Sequence, residues 1–253
     1  MKRVILYTLL LLLSVTVVRA AESDSQEHWD KGNNAYAEGN YAEAIKEYQT
    51  IVDGGEYSFE LYYNLGNAYY KADSIGKAIL YYNKALRVEP LQEDALHNLA
   101  LAEEKTEDRV VEESEFFLAS WARSLRNALS CTTWSILSIV MFALILLFVL
   151  IFLLASNIAL RKTGFYCGLC AVLLFVATLS FAISSRNNML THDKAIVLSS
   201  AISVKSSPDR SATELFVLHE GAKVRVVSEN DEWSEVVADG KKGWLLKSDI
   251  EQI

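Results

Sequence analysis

Two uncharged apolar runs, Trp134 to Ala155 and Gly164 to Ile183, constrain this chain more than any other feature. Each is long enough for a helix to cross the bilayer hydrocarbon, which takes roughly 20 apolar residues. Only Ser156 to Thr163 separates them, and that loop carries Arg161 and Lys162. So short a connection forces an antiparallel helix hairpin. Everything before the hairpin and everything after it then lies on one side of the membrane. The positive-inside rule puts Arg161 and Lys162 in the cytoplasm. Arg123, Arg126 and Arg186 flank the other end and weaken that rule.

The N-terminus decides the orientation. Met1-Lys2-Arg3 is a short basic start, and Val4 to Val18 is an apolar core. Val18-Arg19-Ala20 places small or apolar residues at the minus-three and minus-one positions of a cleavage site. Residues 1–20 therefore read as a secretory signal cut after Ala20. An uncleaved anchor is the other reading, although the core is short for a span. Both large polar segments are thus expected outside the cytoplasm.

The net charge of -8 is unevenly spread. Residues 21–130 hold 21 acidic and 10 basic residues, and residues 185–253 hold 11 and 9. An acidic exported segment excludes nucleic acid, since phosphate binding needs clustered Lys and Arg. It fits protein partners. The cysteines, Cys131, Cys167 and Cys170, lie outside both polar segments, so no disulfide framework supports either.

Shifted by 34 residues, the chain matches itself. Gly32 falls on Gly66, Asn33 on Asn67, Tyr36 on Tyr70, Ala44 on Ala78, Ile45 on Ile79 and Tyr48 on Tyr82. A third copy starts with Asn98, Leu99 and Ala100. Leu65-Gly66-x-x-Tyr69, Ala78, Tyr82, Ala85 and Pro90 resemble the tetratricopeptide repeat, whose period is the same. Gly66 and Ala78 are small where helices approach closely, and Pro90 ends the second helix. The resemblance implies an all-α solenoid over residues 24–108, with Glu93 to Glu107 as a capping helix. It also implies a concave face that holds peptide segments. Asn33, Asn64, Asn67 and Asn98 occupy the family's asparagine-ladder positions. Trp29, Asp94 and Asn98 stand where peptide-clamping members carry basic residues, so carboxylate capture is not expected. Trp29 suggests an aromatic contact instead. The competing role of the asparagines is to bond neighbouring helices.

Phe117, Trp121, Leu125 and Leu129 recur every four residues, with Arg123 and Arg126 off that stripe. Residues 114–131 therefore read as an amphipathic helix. It either lies at the membrane surface or packs on the repeat domain.

From residue 192 to 253 the pattern has period two and reads as six short strands, starting near Ala195, Ile202, Leu215, Lys223, Trp233 and Lys242. Asp239-Gly240 is a strong hairpin signal. Val204-Lys205-Ser206-Ser207-Pro208, Leu218-x-x-Gly221-x-x-Val224-x-Val226, Trp233-x-x-Val236 and Gly240-x-x-Gly243-Trp244-Leu245 resemble a bacterial SH3 domain. The resemblance implies a small, independently folded all-β barrel that binds cell-wall peptides or proteins. Trp233 fits either a ligand platform or the core. Trp244 reads as core.

No catalytic residue, metal or cofactor is expected. Cys167-x-x-Cys170 lies inside an apolar span, where nothing would generate a thiolate. His28 and His97 fall in the repeat segment and His192 and His219 in the C-terminal one, without metal-ligand spacing. The whole order, a multidomain membrane protein of solenoid, hairpin and SH3-like module, resembles the BatE family of bacterial aerotolerance operons. That resemblance implies an inner-membrane, periplasm-facing scaffold whose partners are other membrane-bound operon products. A cell-wall sensor is the alternative, with the SH3 module on peptidoglycan and the repeats recruiting effectors.

Overall fold

The computed structural model describes residues 25–108, 117–191 and 193–253. The signal segment, the start of the helix expected at 114–131 and His192 lie outside the described residues.

Five helices come first: α1 over 25–37, α2 (Tyr41–Asp53), α3 (Phe59–Lys71), α4 (Ile75–Val88) and α5 (Glu93–Glu103). Asn40 caps α2 by accepting from the Glu43 N–H, and Ser58 caps α3 by accepting from the Leu61 N–H. Side-chain oxygens there satisfy donors that a helix start leaves open. The repeat is also legible in the packing. A Cβ at Gly32 would stand 2.6 Å from the Tyr48 ring, and one at Gly66 would stand 2.7 Å from the Tyr82 ring. The same contact recurs one period later, so the glycines are sites of close helix approach. The C-cap Glu89 of α4 is extended, at φ -130° and ψ 95°, as the residue before Pro90 must be.

Both helical turns end α1 and α3 in the same way. Gly39, at φ 77°, and Asp73, at φ 60°, are left-handed residues one period apart. Around each, paired backbone bonds close the helix: Asn40 N–H to Ala35 O at 2.8 Å, and Ser74 N–H to Tyr69 O at 3.0 Å. Glycine adopts this conformation without penalty; aspartate does not.

Next come α6 (Phe117–Asn127), α7 (Cys131–Leu154) and α8 (Ile158–Leu190). α7 and α8 are long and apolar enough to cross a membrane, and they pack against each other as a hairpin. Small residues set the approach: Ser138, Gly164, Ala171 and Ala182 are the buried positions. The helices outrun the apolar runs. α8 begins at Ile158, so Arg161 and Lys162 lie in its first turns and not in a loop. Its far end runs on through Ser184 to Asn188, beyond the apolar segment. α6 packs on α8, and the Trp134 indole N–H donates to the Arg126 carbonyl at 2.9 Å. This places α6 against the hairpin.

The C-terminal segment holds β1 (Lys194–Val197), β2 (Ala201–Lys205), β3 (Glu214–His219), β4 (Lys223–Asn230), β5 (Trp233–Ala238), β6 (Lys241–Leu246) and β7 (Ile250–Gln252). They form one antiparallel sheet in the order β3-β2-β6-β5-β4-β1-β7. Seven strands are present where period two predicts six; the extra one is the three-residue β7. β3 and β7 are the sheet's two edges, and no ladder joins them among the described residues. The two-residue β5–β6 turn has Asp239 at φ 49° and Gly240 at φ 71°, the paired positive values of a type I′ hairpin.

Ala195, Val197, Val204, Leu218, Val224, Val236 and Leu245 form the core of the sheet. Ile196 is fully buried too, but on the opposite face of β1, in the core of the repeat domain. Ile253 joins it there, and Leu198 packs alongside. The module is therefore not the self-contained, independently folded unit that its patterning predicts: its first strand and the residue after its last complete another domain's core. Trp244 is half-buried and lies outside both cores, because Gly243 and Leu245 take the inward positions of β6. The expectation that Trp244 fills the core is corrected accordingly.

Replacing Asp73 by glycine should raise stability by about 0.5–1 kcal/mol, since its exposed pair with Lys105 is worth little. Gly240→Val should lower it by about 1–2 kcal/mol through backbone strain alone, because nothing lies within 4 Å of a Cβ there. Chemical denaturation of the detergent-solubilised chain measures both. A destabilised Asp73→Gly would refute the equivalence of the two helix ends.

Candidate functional site

Three surfaces are built to touch something. The first runs over the odd-numbered helices. The Tyr48 hydroxyl donates to Asn33 Oδ1 at 2.7 Å, and the Tyr82 hydroxyl donates to Asn67 Oδ1 at 2.8 Å. Asn64 Nδ2 reaches Asn33 Oδ1 at 3.4 Å, and Asn98 Nδ2 reaches Asn67 Oδ1 at 2.9 Å. Asn98 Nδ2 also donates to the Tyr63 hydroxyl at 3.1 Å. So the sequence-predicted asparagines do come together, as two rungs joining α1 to α3 and α3 to α5. Burial pushes the Tyr48 hydroxyl up to about 12 and raises that of Tyr82 further. Both remain donors at neutral pH.

The asparagine carbonyls are thus satisfied inside the stack. Among the described residues, the Nδ2 groups of Asn33 and Asn67 donate to nothing in the chain, and an outside acceptor such as a peptide carbonyl can use them. Trp29 sits half-buried beside the first rung, its ring 5.7 Å from that of Tyr48. It is a wall of the repeat core as much as a contact for a ligand.

The second surface is the outer face of the sheet. Trp233 and Trp244 are half-buried there, on adjacent strands. Trp233 pairs with Leu246 and Trp244 with Glu235. Lys242 at 2.8 Å and Ser228 at 2.9 Å hold the Glu235 carboxylate. Trp233 is therefore a surface aromatic.

The third is the interface between repeat and sheet, which sequence reading missed. Glu220 accepts from the Gly76 N–H at the start of α4, at 2.8 Å. Glu251 of β7 takes Lys77 at 2.5 Å and Lys84 at 3.0 Å. Lys223 donates to Asn83 at 2.8 Å. Asp108 accepts from the His219 N–H at 2.6 Å. Arg87 donates to the backbone oxygen of Ile253, and to the carbonyls of Asn188 and Thr191 at the exit of α8. There was a signal for this. One period after Glu43, Lys46, Thr50 and Asp53 stand Lys77, Leu80, Lys84 and Arg87. The solvent-facing positions of α2 have become basic or apolar in α4, and Leu80 is fully buried.

Comparison with known families gives two matches. Residues 59–90 match the tetratricopeptide repeat, and residues 200–251 match the bacterial SH3 domain. The first spans α3 and α4; the second begins one residue before β2 and ends within β7.

Burial raises the Glu251 carboxyl, but Lys77 and Lys84 outweigh it and hold the group below its ordinary value of 4.5. A lowered folded-state value means that the stabilisation is complete above pH 4.5 and disappears as pH falls through the folded value. The docking of sheet on repeat should therefore weaken below that pH. In Glu251→Gln, protection of α4 amides should already be reduced at pH 7 and change little on acidification. Hydrogen exchange across α4 and β1 provides the check. An unaltered exchange pattern in Glu251→Gln would show that the lysine pair does not hold the interface.

Proposed function

We propose that this protein is a membrane-anchored, non-enzymatic adaptor that binds protein partners through its helical repeats. The observation that carries the reading is the pair of asparagine rungs, each anchored on α3, at Asn64 and Asn67, inside the segment that matches the tetratricopeptide repeat. Their outward Nδ2 donors suit the backbone of an extended peptide on a concave face. Both polar domains lie on one side of the hairpin, and the signal segment at 1–20 makes that side the periplasm. Arg161 and Lys162, in the first turns of α8, then lie at the cytoplasmic end of the hairpin. The order of repeat, hairpin and SH3 module fits a scaffold of the aerotolerance, BatE type, working with other membrane-bound products of its operon.

A second reading draws support from the bacterial SH3 match and from Trp233 and Trp244 on one face. There the sheet holds peptidoglycan while the repeats recruit effectors. Sedimentation with purified cell wall separates the two, since an adaptor without wall affinity stays in solution.

Cysteines introduced at Ser74 and Asn230 should react with an impermeant maleimide in intact spheroplasts. Labelling only after lysis would reverse the topology. Asn33→Asp keeps the acceptor for the Tyr48 hydroxyl and removes the outward donor, so it should reduce partner recovery in a crosslinking pull-down by roughly fivefold, one hydrogen bond's worth, while leaving the fold intact. Asn67→Ala is the wrong probe, because it strands the buried Tyr82 hydroxyl, at a cost of about 1–3 kcal/mol. Full recovery with folded Asn33→Asp would exclude the asparagine face as the binding site.

A further inference from the structure

The helix faces that carry the asparagine rungs are also charged, and unevenly. Glu60 stands one turn before Asn64, and Asp94 stands one turn before Asn98, a 34-residue period later. Residues four apart share a helix face, so both carboxylates open onto the groove between α3 and α5. Both are exposed, and among the described residues neither meets a cation. The lysines of the repeat domain are engaged elsewhere: Lys31 with Glu27, Lys46 with Glu43, and Lys77 and Lys84 with Glu251. Lys71 ends α3, roughly 16 Å along the helix from Glu60. Tyr63 bridges the two helices near the carboxylates. Its hydroxyl accepts from Asn98, and its ring stacks on Phe59 at 5.5 Å, with planes 12° apart. The other end of the groove shows what such a seat holds. There Lys105 lies over the Tyr70 ring at 4.3 Å and pairs with Asp73 at 3.5 Å. Glu60 and Asp94 complement the dipoles of their own helices. With Tyr63 they also repeat that aromatic-plus-carboxylate arrangement, and no described lysine of the chain fills it.

We infer that the segment held by the rungs is basic, and that one of its Lys or Arg side chains sits on Tyr63 and Phe59 between Glu60 and Asp94. This deepens the adaptor reading and rests on it. The segment's backbone meets the spare Nδ2 donors of Asn33 and Asn67. The aliphatic stem of the basic side chain covers the rings, and its head reaches the carboxylates. A terminal carboxylate at this position is repelled, so the groove selects against acidic segments as well as for basic ones. Two exposed ion pairs and one cation–π contact together amount to roughly tenfold in affinity.

The test uses the purified full chain in detergent micelles and short labelled peptides, capped at both ends, read by fluorescence anisotropy. The probes alternate Thr with Lys, with Gln or with Glu. The Lys probe should bind roughly tenfold tighter than the Gln probe, and the Glu probe more weakly than either. Glu60→Gln with Asp94→Asn should bring the Lys probe down to the affinity of the Gln probe. Glu38→Gln with Asp53→Asn removes two exposed carboxylates off the rung face and should keep the advantage. Should the first double variant misfold, Glu60→Gln alone should cut the advantage roughly threefold. Equal loss in the Glu38 and Asp53 variant would reduce the effect to net charge and overturn the seat. Spermine has the charge but no peptide backbone. Its competition at the concentration of the Lys probe would make this a bare cation site and overturn the basic segment. A Lys probe that fails to bind overturns the inference as well. The Gln probe keeps the two readings apart. If it binds and Asn33→Asp weakens it, while Lys and Gln probes bind alike, this inference falls and the adaptor reading stands.

Discussion

Arg87 is where the three parts of this protein are tied together. From the last turn of α4 its guanidinium donates to carbonyls at the end of α8 and to the backbone of Ile253 beyond β7. Lysine could not do this, because only the planar fork carries donors in several fixed directions. Burial lowers its proton affinity and nearby Asp193 opposes that shift. A charge taken partly out of water must be met by acceptors, and the chain supplies backbone oxygens from both neighbours. The repeat domain, hairpin and sheet thus share a junction and are not beads on a string.

This junction changes what the proposed adaptor can do. Separate modules would transmit nothing to each other. Here α4 is buried on every side, with Ile196 and Ile253 of the sheet in the same core as Ile79 and Tyr82. A partner that strains the rungs on α3 and α5 also loads the helix on which the sheet rests. With so few repeats, the sheet also supplies the neighbour that a short solenoid lacks on its outer side.

Much of the local structure was legible in the sequence because local rules govern it. The 34-residue self-match located α1 to α4, and Asp239-Gly240 located its hairpin, since a turn's chemistry is contained in the turn. Asn33 and Asn67 were found, but their bonds to Tyr48 and Tyr82 depend on how two helices cross. The docking surface was missed because repeat reading looks for what the copies share. Lys77, Leu80, Lys84 and Arg87 carry information only as departures from Glu43, Lys46, Thr50 and Asp53. Trp244 was misjudged for a different reason. Period two gives alternation but not its phase, and Gly243 makes room for Val204 on the inner side.

The covering of α4 by β1 also has a consequence for biogenesis. With α7 and α8 spanning the bilayer, as proposed, two crossings separate Leu80 from β1, whose Ile196 shares its core. A repeat domain exported as proposed must wait, its apolar outer face bare, until the second crossing returns the chain to its own side. A molecule that crossed once or three times would put the sheet in the wrong compartment and leave that face open for good. The domain contact thus works as a count of membrane crossings: only a correctly threaded chain can close it. Quality-control factors that read exposed apolar surface would see every other chain as unfinished.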